Sequence, residues 1–179
     1  LFRSCVKFIF SRKAILGAIS LDLFAVLFGG ATALLPVYAV SILHVGAEGL
    51  GFLRSAPALG AAIVAAIIVR YPIKRHAGKL MCWCVAGFGA ATIVFGISRN
   101  LWISLFALFA TGAFDMVSVV VRNALVMLQT PDEMRGRVGA IENIFIGASN
   151  ELGAFESGGF ASLIGTVPAV ALGGVATLI

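Results

Sequence analysis

Residues 101–137 read LWISLFALFATGAFDMVSVVVRNALVMLQTPDEMRGR. From Leu101 to Gln129 the run is apolar except for a few polar positions, and only Asp115 and Arg122 ionise. A bilayer span needs about 20 apolar residues, so this run is a membrane helix with length to spare. The run stops at Gln129, ahead of Thr130-Pro131. The turn that follows, Asp132-Glu133-Met134-Arg135-Gly136-Arg137, is strongly charged and belongs in water or among headgroups.

Working outward, the same alternation recurs. Apolar runs fall at Ala14–Leu43, Leu50–Val69, Leu80–Ser98, Leu101–Gln129, Val138–Gly165 and Val167–Ile179. The sixth is short for a span and reads as a truncated helix; the first, fourth and fifth are long enough to tilt or protrude. Continuous runs of this length exclude the short alternating strands of a membrane barrel. The composition agrees: 60% of the 179 residues are hydrophobic, 12% are charged, and the mean hydropathy is +1.06. Soluble domains are about 45–50% apolar and about 25% charged. An ordinary cytosolic enzyme, a disordered tail and a nucleic-acid-binding module are thereby excluded. The expected fold is an all-α membrane protein of six transmembrane helices, residues 14–179, preceded by a basic cytoplasmic linker, residues 1–13. The chain opens at Leu1 without a methionine and stops inside an apolar run, so the reading expects a piece of a longer protein.

Although the net charge is +5, the placement of the cations says more than their sum. Arg3, Lys7, Arg12 and Lys13 precede the first run; Arg70, Lys74, Arg75 and Lys79 follow the second; Arg135 and Arg137 follow the fourth. The connections on the other side hold only Arg99. Cytoplasmic loops are enriched in Lys and Arg, so the N-terminal end and these connections are expected on the cytoplasmic side of the membrane.

Ionisable groups inside a span cost about 2.5–3.5 kcal/mol on insertion scales and usually face a bundle interior or a water-filled cavity. The first run holds Asp22, the second Arg54, the fourth Asp115 and Arg122, and the fifth Glu142, Glu151 and Glu156, with Asn143 and Asn150; the third and sixth hold none. Charged, charged, bare, twice over, matches two inverted three-helix repeats, a grammar shared by many transporters. The bare members are expected at the periphery. At 100° per residue, Glu142, Ser149 and Glu156 lie within about 40° of one another, with Asn143, Asn150 and Ser157 as an adjacent stripe. Glu151 falls off this face and reads as a packing residue. Rise per residue puts Asp115, Asn150 and Glu151 near the middle, Arg54 and Glu156 toward the outer side, and Asp22, Arg122 and Glu142 toward the inner side. Depth alone therefore suggests Arg54–Glu156, and Arg122 with Asp22 or Glu142. Each arginine reads either as a lock between helices or as a gate. Asp115 and the Asn143–Asn150 face read as lining a cavity. Pro36 and Pro57 lie inside runs, where each marks irregular packing more readily than a hinge.

Enzyme chemistry finds no constellation. There is no phosphate-binding glycine loop and no Gly-x-Ser-x-Gly elbow. His44 and His76 sit in connections, away from any serine at membrane depth. Cys5, Cys82 and Cys84 have neither zinc-site nor redox-motif spacing, and no metal or cofactor is expected.

Thr130-Pro131-Asp132-Glu133-Met134-Arg135-Gly136-Arg137-Val138, followed by Phe145-Ile146-Gly147-Ala148-Ser149-Asn150-Glu151-Leu152-Gly153, resembles the second half of major facilitator superfamily transporters. The likeness is to the bacterial efflux branch with enterobactin-exporter-like proteins and transmembrane secretion effectors. Asp22-Leu23-Phe24-Ala25, Gly29-Gly30, Pro36 and Leu53-Arg54-Ser55-Ala56-Pro57 carry the resemblance further. It implies a twelve-helix transporter, of which this chain is helices seven to twelve, with its first, second, fourth and fifth helices lining the central pathway. Arg75-His76-Ala77-Gly78-Lys79 resembles the second copy of the family's basic loop, but Arg70-Tyr71-Pro72 stands where the family has an upstream Gly and Asp. The implied activity is ion-gradient-driven export of small amphipathic molecules or siderophores, by antiport with a proton or other coupling ion. The implied partners are the lipid bilayer, a small-molecule substrate and the N-terminal six-helix half. The alternative is a six-helix membrane subunit with a structural or assembly role.

Overall fold

A computed structural model describes residues 12, 16–17, 19–21, 23, 27, 30–72 and 77–178. All regular structure among them is helical. The first run, as far as it is described, ends irregularly: a 3-10 turn over Gly30–Leu34, a short α turn, α1 (Leu35–Val37), and a π turn over Tyr38–Ile42. Pro36 sits in the first turn of α1, where its missing amide hydrogen is least costly. Five longer helices follow: α2 (Ala47–Arg70), α3 (Ala77–Ile97), α4 (Leu101–Gln129), α5 (Arg135–Ile164) and α6 (Thr166–Leu178). Three of them, α2, α3 and α4, are long and apolar enough to cross a membrane. Trp83 near the start of α3, Trp102 at the start of α4 and Tyr71 just past α2 are all exposed. Exposed aromatics near helix ends are what a membrane–water interface selects.

The termini follow local chemistry. Asn100 caps α4, its side-chain oxygen accepting the Trp102 amide hydrogen at 2.9 Å. Gly165 has φ +91°, a region L-residues with side chains avoid, and it separates α5 from α6. The sequence places the start of the fifth run at Val138, but α5 begins at Arg135. A 3-10 turn over Asp132–Met134 runs straight into it, so Arg135 and Arg137 occupy its first turn rather than a loop.

Packing places α3 between α4 and α6, while α2 lies against α4, and α5 against α6 and the 3-10 turn at Gly30–Leu34. The expectation that α3 and α6 are peripheral needs correcting within this chain: α3 is the most buried of the three long apolar helices and α2 the least. The reason is that uncharged faces pack on each other. Gly174 of α6 fits against Ile93 and the Gly89 carbonyl of α3, and the Phe114 ring of α4 lies over Gly87. Phe88 and Ile93 of α3 are half-buried.

A first hydrophobic core unites Leu34, Leu35, Tyr38, Leu53, Phe95, Leu108 and Val170. A second gathers Ile19, Val126, Val138 and Ile141 at the opposite end. In the first, the Tyr38 and Phe95 ring centroids lie 4.6 Å apart, and the Tyr38 hydroxyl donates to the Gly96 carbonyl at 2.6 Å. That bond ties the irregular end of the first run to α3.

Candidate functional site

The polar groups of α4 and α5 meet at one buried point. Arg122 Nε donates to Glu142 Oε1 at 2.7 Å, and both residues are at least 95% buried. Charges withdrawn from water in this way are tolerable only because they are opposite and hydrogen-bonded. The two helices pack closely only over a short stretch, so this pair is a principal tie between them. Asp22, the other carboxylate expected at this depth, lies outside the described residues.

The hairpin sets the height of the remaining groups. Asp115 lies about 21 Å of helical rise from the α4 terminus at Gln129, and Asn150 about 22 Å from the α5 start at Arg135. Antiparallel helices therefore carry both to one level. Asp115 is half-buried, while Asn143 and Asn150 are exposed. Ser149, on the same stripe of α5, donates to the Leu23 carbonyl at 3.4 Å.

Other positions depart from the sequence reading. Arg54 is exposed and makes no ion pair with half-buried Glu156. Equal depth was its only warrant, and the fold puts α2 against α4 and α5 against α6, so the two residues stand on helices that are not packed together. Glu151, read as a packing residue, is exposed among the described residues.

Arg135 has a role the sequence concealed. Its Nε donates to the carbonyls of Met127 at 3.1 Å and Thr130 at 3.2 Å, and its guanidinium pairs with Asp132. A cation at the carboxyl end of α4 satisfies oxygens that helix geometry leaves open and complements the helix dipole. The only advance signal was its short distance in sequence beyond a proline-terminated helix. Arg137 is exposed one turn position further on.

Among the described residues, grooves open on the helix surfaces. One, of about 580 Å³ between α2 and α4, is lined by Phe52, Leu59, Trp102, Phe106 and other apolar side chains, with Ser55 already bonded to the Phe52 carbonyl. Another, of about 220 Å³, contains Glu156.

Against known proteins, no family model matches the chain and no solved structure does. The chain is 25% identical over 173 residues to the Enterobactin exporter EntS of Citrobacter koseri. The match takes in 97% of this chain but spans 41% of that protein's length. Three helices long and apolar enough to cross a membrane accord with a membrane protein, and the distant likeness is to an exporter.

Proposed function

We propose that the chain is the C-terminal half of a major facilitator superfamily transporter in a bacterial inner membrane. In this reading six helices cross the bilayer as two inverted repeats, and this half rocks against an N-terminal half around a mid-membrane site. Asp115, Asn143 and Asn150, with Asp22, face the path. Asp115 exchanges a proton or another coupling ion as access alternates, and Asn150 hydrogen-bonds a polar substrate without titrating. The cargo is a small amphipathic molecule of the siderophore kind, exported without any enzymatic step or cofactor. The observation that carries the reading is the similarity to an exporter along nearly the whole of this chain. It favours transport over a purely structural subunit, and the polar residues clustered on α4 and α5 are its structural support.

The test uses the full-length protein in proteoliposomes, with enterobactin as substrate. Asp115→Asn is expected to keep normal expression and to lower enterobactin-dependent proton movement more than tenfold. Full transport by Asp115→Asn at every pH would make Asp115 a packing residue, and absence of flux by the unmodified protein would overturn the substrate class.

A further inference from the structure

In the transporter reading, on which this inference rests, Glu156 is a carboxylate at membrane depth, and it has a largely apolar cavity in front of it. The cavity, about 220 Å³, lies where the first run, α5 and α6 come together, lined by Leu27, Glu156, Phe160, Ala169, Leu172 and Gly173. Glu156 stands about 12 Å of helical rise below the outer end of α5. Among the described residues no cation pairs with it. The segment Phe24–Gly30 on either side of Leu27 contains no lysine, arginine or histidine, and neither does α6. The adjacent glycines of α6 differ: Gly174 sits tightly against α3, while Gly173 lines the cavity that Glu156 also lines.

A carboxylate at membrane depth is costly unless something of opposite charge meets it, and such residues mark binding sites. Ligand sites combine mostly apolar walls with a few placed polar groups. Here the walls are aliphatic and aromatic, and the polar groups are the Ser157 hydroxyl and the anionic Glu156 carboxylate. The space is below the usual range for drug-sized ligands, which limits the occupant to a small head. We infer that the Glu156 cavity between α5 and α6 binds a small alkylammonium group, its alkyl arms against Phe160 and Leu172 and its charge against the carboxylate. This site stands apart from the Asp115–Asn150 face and adds an organic-cation class to the transporter reading. Its test measures binding alone, so it succeeds or fails whether or not transport is observed.

Calorimetric titration of the full-length protein in dodecyl maltoside, an uncharged detergent, with tetraethylammonium chloride makes the measurement. Saturable binding is expected, weakened at least tenfold by Glu156→Gln and also by Gly173→Leu, which fills the cavity and leaves the carboxylate in place. Gly51→Ala, on α2 with open space around its Cβ, is expected to leave it unchanged. Adding phosphatidylethanolamine separates the sources of ammonium: an unchanged affinity identifies a soluble ammonium as occupant, and a weakened one identifies the lipid headgroup. Absence of binding, or equal binding by monodisperse Glu156→Gln and Gly173→Leu proteins, overturns the inference.

Discussion

Arg122→Ala is expected to destabilise the folded protein by about 3–5 kcal/mol, the usual result of removing one partner from a buried ion pair. Arg122 and Glu142 are both buried and share a 2.7 Å bond. Without the guanidinium, Glu142 remains as an uncompensated anion between α4 and α5. Removing both charges is a different experiment. Arg122→Met combined with Glu142→Leu leaves no orphaned charge, and such replacements are often neutral or stabilising. Denaturation of the full-length protein in detergent, for each single variant and the double, reads the effect. A lock between helices predicts that the double variant recovers stability and transport together. A gate predicts that it recovers stability while transport stays impaired. An Arg122→Ala protein as stable as the parent would contradict the buried pair itself.

Gly112→Leu is expected to be comparably damaging for a steric reason. A Cβ at Gly112 would meet the Pro57 carbonyl and neighbouring backbone atoms of α2, and one at Gly60 would meet the Phe109 carbonyl of α4. The contact is reciprocal, backbone against backbone. Small residues permit such approaches between membrane helices. Overpacking ordinarily costs about 1–3 kcal/mol. Here the cost is expected to exceed about 3 kcal/mol, because a helical carbonyl cannot rotate aside as a side chain can. Gly51→Ala is the matched control, since nothing lies within 4 Å of the position its Cβ would take. Thermal unfolding of both variants checks the contrast: a large loss for Gly112→Leu and none for Gly51→Ala. Equal stability of the two would mean that α2 and α4 do not cross at Pro57 and Gly112.

The sequence was most informative where one dimension suffices. Run length found the helices, three of which, α2, α3 and α4, are long and apolar enough to cross a membrane, and rise per residue put Arg122 and Glu142 at one depth, where they meet. The same argument failed for Arg54 and Glu156, because depth says nothing about which helices are neighbours. That order depends on shape: the close fit of Gly60 and Gly112 and the seat of Gly174 against Ile93 draw α2, α4, α3 and α6 together. Counting charges assigned α3 and α6 to the periphery for a related reason. An uncharged helix suits lipid and an apolar neighbour equally, and only the packing shows which it meets. The start of α5 was misread because Arg135 looks like loop chemistry until its guanidinium is seen bonded to the last carbonyls of α4. For the candidate site, helical periodicity identified the polar stripe of α5. The cavity beside Glu156 depends on the separation of α5 from α6, for which no residue pattern is a signature.

Solvent access to Asn150 tests the central claim most directly. Asn150 is exposed on α5, at the level of Asp115; the proposed function has it face a water-filled path shared with an N-terminal half, and the contrary reading has it lie against lipid. The measurement is the rate at which a membrane-impermeant thiosulfonate modifies Asn150→Cys in the full-length protein, in a background without Cys5, Cys82 and Cys84, with and without enterobactin. Rapid modification that enterobactin slows is the predicted result. A cysteine at this position that stays unreactive in the folded protein, as a lipid-facing site would, contradicts the account.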